Sequence, residues 1–193
     1  MAKAAILVSG EGKRMRCLLD CAFFNEIENL EIAGVVSSSP EAYALSTARN
    51  ANVPNYVVDD HLFPNSASYG LALLNKLKDI DTDFVVLAGF IPSMGPAARY
   101  FSGRVLGVFP SLVPAFEELS EEEVYSSTLA RGVQITGATA YMANEIGKIG
   151  DILAQKTVPV MPDDTPESLR ERIFEQAQKE LLIEAVRNFC KTD

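Results

Sequence analysis

The stretch Ser9-Gly10-Glu11-Gly12-Lys13-Arg14 is the first place where residue types and spacing suggest chemistry. Two glycines let a backbone approach a ligand closely. Where a helix follows, its first turn offers unpaired N–H groups and a partial positive charge, which together favour an anion. Lys13 and Arg14 add charge at the same place. The loop is not a dinucleotide fingerprint, because the third glycine falls on Met15, and it lacks the spacing of a P-loop before Gly-Lys-Ser/Thr. Glu11 repels a phosphate unless its carboxylate points away. The competing reading is a tight turn followed by solvated basic residues. Other chemistries are excluded by count. One histidine, His61, cannot build a multi-histidine metal centre, and no metal site is expected. Cys17, Cys21 and Cys190 form no disulfide framework and no CxxC pair, which fits a reducing compartment. Cys17 and Cys21 lie one turn apart on an apolar helix face, where packing is the default role. The acidic run Glu117–Glu123 reads as a solvated loop and helix start, with its acids near the positive helix end.

These residues need elements to position them. Ala4–Val8 is a short continuous apolar run, the pattern of a strand buried on both faces. Further strands are expected at Ile32–Val36, Asn55–Val58, Asp83–Ala88 and Val105–Phe109. Helices are expected over Lys13–Asn25, from Pro40 through Ala48, over Ser66–Lys78 and over Glu121–Ala130, from apolar spacing of three and four. Val133–Ala143 and Asp151–Val160 flank a Gly-containing turn and read as a long antiparallel hairpin. Thr165 and Pro166 suit an N-cap and first helical position. From there Leu169, Ile173, Ala177, Leu181, Ala185 and Phe189 form an i,i+4 stripe on one terminal helix. The fold class is therefore α/β, with a mainly parallel sheet covered on both faces and a C-terminal antiparallel hairpin. Ligands in such sheets bind beyond the carboxyl ends of the strands. Chemistry is sought at Ser9–Arg14, Gly89–Met94 and Gly107–Pro114.

Composition agrees with one domain over 1–193. The chain carries a net charge of −9, 48% hydrophobic and 22% charged residues, and no tryptophan. The acidic balance argues against a general nucleic-acid binder, which needs cations to displace phosphate counterions. No apolar run approaches the roughly 20 residues that cross a bilayer. No signal peptide is read at the N-terminus, so the expected location is the cytoplasm.

Three segments together resemble the glycinamide ribonucleotide formyltransferase family. They are Ser9-Gly10-Glu11-Gly12, Leu87-Ala88-Gly89-Phe90 and Pro110-Ser111-Leu112-Val113-Pro114, and Gly132–Gln155 extends the likeness. The resemblance implies a Rossmann-like half over 1–100 that holds a ribonucleotide phosphate. It implies a second half over 101–193 that binds 10-formyltetrahydrofolate and passes its formyl group to an amine. The phosphate or ligand seat it implies comprises Ser9, Gly10, Glu11, Gly12, Lys13, Arg14 and Pro110. The folate-like pocket comprises Leu87, Gly89, Ile91, Pro92, Met94, Asn144, Glu145 and Lys148.

The same resemblance exposes departures. The family's Asn-x-His-Pro-Ser-Leu motif reads Gly107-Val108-Phe109-Pro110-Ser111-Leu112 here, and the family's Asp position holds Lys148. No member of the catalytic trio is intact. Pro92 stands where the family has Arg, and Ala177 where it has a ribose-contacting Glu. His61 lies in a loop far along the chain from this motif. The expected function is a diverged homologue, deficient in formyl transfer, that binds a phosphorylated small molecule and neither nucleic acid nor membrane. The alternatives are a transferase for another substrate, using Lys148, Tyr141, Asn144 or Glu145, and a non-catalytic interaction subunit. The residues themselves name no cofactor, 10-formyltetrahydrofolate enters through the resemblance, and a homodimer is compatible with it.

Overall fold

The N-terminal apolar run becomes the middle of a sheet. In the computed structural model, which describes residues 1–191, strand β1 (Ala2–Val8) pairs in parallel with β2 (Leu30–Ser37) on one side and β4 (Phe84–Leu87) on the other. Outside these lie β3 (Asn55–Val57) and β5 (Val105–Phe109), also parallel. The long β6 (Ile135–Ala143) and β7 (Ile149–Pro159) complete the sheet antiparallel, in the order β3-β2-β1-β4-β5-β6-β7. Thr192 and Asp193, the end of the expected domain, lie outside the described residues.

Alternate residues of the central strands feed two cores. Ala4, Ile6 and Val8 of β1 face one, with α1 (Lys13–Phe23), α2 (Tyr43–Asn50) and the two C-terminal helices α6 (Pro166–Ile173) and α7 (Lys179–Lys191) packed against it. Ala5 and Leu7 face the other, covered by α3 (Ser66–Asp79) and the five-residue α4 (Pro96–Tyr100). Helix α5 (Glu121–Ala130) follows β5 and starts with a capping box in which Ser120 and Glu123 exchange hydrogen bonds.

Several boundaries differ from expectation. Pro40 lies in a turn and α2 begins three residues later, at Tyr43, after Ala42 in an extended conformation. Helix α1 stops at Phe23, and Asn25 takes a left-handed φ of 55° that ends the turn. Helix Pro96–Tyr100 was not expected; Pro96 sits at its first position after Gly95, a signal the sequence carries. The terminal helix is not uniform, because Phe174–Gln178 forms a π turn between α6 and α7. Thr165 does cap α6, with Ser168 returning a hydrogen bond to its N–H.

The β1–α1 connection depends on Gly12. It has φ 78° and a side chain there would put Cβ 2.6 Å from Ala44 Cβ on α2. Gly10, two residues earlier, faces open space. Gly12→Ala is expected to cost about 1–3 kcal/mol in urea denaturation, whereas Gly10→Ala should leave the midpoint within about 0.5 kcal/mol of wild type.

Candidate ligand cleft

The carboxyl ends of β1, β4 and β5 open into one cleft of about 890 Å³. Its floor and rim are the Gly10–Arg14 loop, Ala88–Ile91, Phe109, the acidic segment Glu117–Glu122 and the α6–π face carrying Arg170, Glu171, Phe174 and Gln178. Ser9 ties the strand ends together from behind. Its N–H donates to Gly89 O (3.0 Å), its hydroxyl accepts from Ile91 N–H (3.0 Å) and bonds Ser38 Oγ (2.7 Å). Among the described residues no acceptor takes the backbone N–H groups of Gly10 to Arg14, so the start of α1 presents bare donors to the cleft.

Charge in the cleft is mostly internally matched. Four basic and six acidic side chains line it, a net of −2. Lys13 Nζ pairs with Glu171 at 2.7 Å, and Arg170 with Glu11 at 3.4 Å, so the Glu11 carboxylate is turned toward a cation. Such exposed pairs contribute little, about 0–1 kcal/mol each. Arg14 is different. It is 9% exposed and forms a two-pronged pair with Glu121, one bond at 2.9 Å and a second, shorter one, while Nε donates to Gln178 Oε1 at 3.3 Å. Burial works against its charge, but the Glu121 carboxylate outweighs burial and holds the guanidinium above its usual range. Burial pushes the Tyr125 and Tyr141 hydroxyls up to about 12, so both are neutral donors at ordinary pH. Gln178 Nε2 is buried facing the Tyr125 hydroxyl, without a well-aligned hydrogen bond among the described residues. At the entrance to α6, Arg172 and its hydrogen bond hold Asp164 down at about 2, which anchors the helix that carries Arg170 and Glu171.

Of the expected residues, the cleft gathers Gly10, Glu11, Gly12, Lys13, Arg14, Gly89, Ile91, Phe109, Tyr141, Asn144 and Lys148. It does not gather the rest. Leu87 and Met94 are built into the second core, and Pro110 is buried behind the cleft. Ser9 is consumed by the strand-end bonds above, and Pro92 is half-buried off the lining. Glu145 faces a separate hollow with Ser93, Pro96 and Ile146. Asn144 builds the β6–β7 turn, its Oδ1 accepting from the N–H groups of Ile146 and Lys148 (3.1 and 3.0 Å). His61 is an exposed loop residue bonded to Asp60 at 2.8 Å, which raises its pKa, and it is absent from the cleft lining. Cys21 is buried, as its helix face implied. Sequence reasoning missed Glu121 and Gln178 as partners of Arg14, since nothing local links positions more than a hundred residues apart.

Position 107 is not an empty slot. Gly107 lies opposite Tyr141 in the β5–β6 ladder, and a Cβ on it would lie 2.5 Å from Tyr141 Oη. The tyrosine ring fills the space that a side chain on β5 would use, and Phe109 lines the cleft beside it, 7% exposed.

The profile described as formyl transferase matches residues 2–186. The chain belongs to the formyl transferase family. It is similar to the phosphoribosylglycinamide formyltransferase of Haemophilus influenzae, with 31% identity over 177 residues, 91% of this chain and 82% of that one. It is 34% identical over 174 residues to the bovine trifunctional purine biosynthetic protein adenosine-3, covering 89% of this chain but spanning only 17% of that protein's length. Among solved structures, the glycinamide ribonucleotide transformylase 1 of Symbiobacterium toebii superposes with a TM-score of 0.93 at 33% identity, over all of this chain and 89% of that one. The mixed sheet and its antiparallel C-terminal strands are those of that fold. Among the described residues no helix of this formyl transferase chain is long and apolar enough to cross a membrane.

The Gly107–Tyr141 contact generates a coupling. Gly107→Asn should destabilise the chain by about 1–3 kcal/mol through overpacking. In a Tyr141→Ala background the same substitution should cost less, and a double-mutant cycle in urea measures the difference.

Proposed function

We propose that this chain has lost formyl transfer and uses its cleft to bind a phosphorylated small molecule. The observation that carries the first part is the Tyr141 ring over Gly107, beside Phe109. Formyl transfer passes through a tetrahedral oxyanion that needs hydrogen-bond donors and a titratable group. Losing one such donor typically costs about 10²–10³ in rate. The resemblance gives these tasks to positions that here hold Gly107, Phe109 and Lys148. Phe109 neither titrates nor donates, and Lys148 lies on an exposed turn with the opposite charge to the family's Asp.

The residues present do not fit 10-formyltetrahydrofolate. Half of the positions expected to enclose it, Leu87, Pro92, Met94 and Glu145, lie off the cleft lining. The phosphate reading is supported by the open N–H groups at the start of α1, by Lys13 and Arg14 beside them, and by relatives whose names carry a phosphoribosyl compound.

A second reading is favoured by one feature. The neutral Tyr141 hydroxyl lies over Gly107 as a donor, so a transferase for a different substrate would act through it. Tyr141→Phe should then abolish whatever activity is found.

Two outcomes test the first reading. A mixture of glycinamide ribonucleotide and 10-formyltetrahydrofolate should show no steady turnover in an absorbance assay; sustained turnover overturns it. Sugar phosphates should raise the melting temperature of the wild-type chain, and the rise should vanish in Lys13→Ala/Arg14→Ala. An unchanged rise in that variant removes the loop as the seat.

A further inference from the structure

We propose that Glu121 is a built-in competitor for the anion seat of the cleft, its carboxylate holding Arg14 until an anionic ligand displaces it. The inference rests on the phosphate reading above and names the residue that sets its affinity and selectivity.

Four observations carry it. The pair is two-pronged, and Arg14 is buried while the Glu121 side chain is 37% exposed, so the carboxylate can leave toward solvent and the guanidinium cannot. Glu121 is not needed to cap its own helix. Ser120 and Glu123 close that cap, and Val124, fully buried, pins the helix independently. The Gln178 side chain lies on the same guanidinium with Oε1 engaged, while its buried Nε2 faces the Tyr125 hydroxyl without a well-aligned hydrogen bond among the described residues. That amide sits on the cleft lining, and an oxyanion on Arg14 would offer it a stronger acceptor. Finally, the backbone donors of Gly10 to Arg14 on the same lining are open, whereas the carboxylate of Glu121 has Arg14 as its hydrogen-bond partner.

The consequence is selection by charge. A bound anion must replace a carboxylate already in place, so its apparent affinity falls by the fraction of molecules in which Arg14 is released. A monocarboxylate exchanges like for like and gains nothing. A phosphate dianion brings a second charge and a third oxygen, enough to serve Arg14, Gln178 and the helix start together.

The test is calorimetric titration with inorganic phosphate at pH about 8, where phosphate is mainly the dianion, and at constant ionic strength, with acetate as the second probe. Glu121→Gln keeps the side-chain shape and should bind phosphate about tenfold more tightly than wild type. Glu175→Gln removes the same unit of charge from an exposed position off the cleft lining without touching Arg14, and should stay within about twofold of wild type. Wild type should bind acetate more weakly than phosphate, and Glu121→Gln should narrow that gap. Equal gains in the two variants, or no gain in Glu121→Gln, overturn the proposal. Phosphate binding in wild type with no gain in Glu121→Gln overturns the competitor alone; absence of binding in every chain overturns the phosphate reading with it. An independent measurement uses the wild-type chain: the Arg14 Nε resonance should shift with saturating phosphate, and a resonance that does not move overturns the proposal even if the variant fails to fold.

Discussion

The fold follows from strands that are buried on both faces. In β1, Ala4, Ile6 and Val8 belong to one core and Ala5 and Leu7 to the other, so the strand from Ala4 to Val8 is given over to packing. Parallel strands of this kind require helices on both sides. Polar function is pushed to the strand ends, where the backbone turns into loops. Ser9, bonded to Gly89, Ile91 and Ser38, clamps three of those ends into one rim. The cleft exists because that rim is held open on one side by α1 and on the other by the α6–π face.

The architecture was largely legible from residues. Continuous apolar runs marked the central strands, and the shift to β-branched and small residues after Gly132 marked the antiparallel hairpin. The π turn also has a signature in the sequence. A stripe at strict intervals of four, from Leu169 to Phe189, advances about 40° per step around a helix of 3.6 residues per turn. Such a stripe cannot stay on one face unless the helix widens somewhere, and Phe174–Gln178 is where it widens. Leu169, Ile173, Ala177 and Leu181 are all in the same core as a result.

The cleft was less legible, for reasons of distance. Loop Gly10–Arg14 could be picked out because its glycines and basic residues are adjacent. Whether Arg14 was available to a ligand depended on Glu121, which folding brings from more than a hundred residues away. Likewise the fate of position 107 depended on the β5–β6 register, and those strands are joined by a long connection that contains the helix Glu121–Ala130, so nothing local in the sequence pairs Gly107 with Tyr141. Leu87 and Met94 sit next to cleft loops in the chain, but their side chains pack into the second core.

The Gly107–Tyr141 contact also sets what β5 can offer the cleft. With the tyrosine ring lying across it, the strand presents only backbone at position 107, and Phe109 is the one β5 residue on the lining. Polar side chains at this end of the sheet therefore come from β6, the loops and the surrounding helices, and any chemistry in the cleft is drawn from those walls.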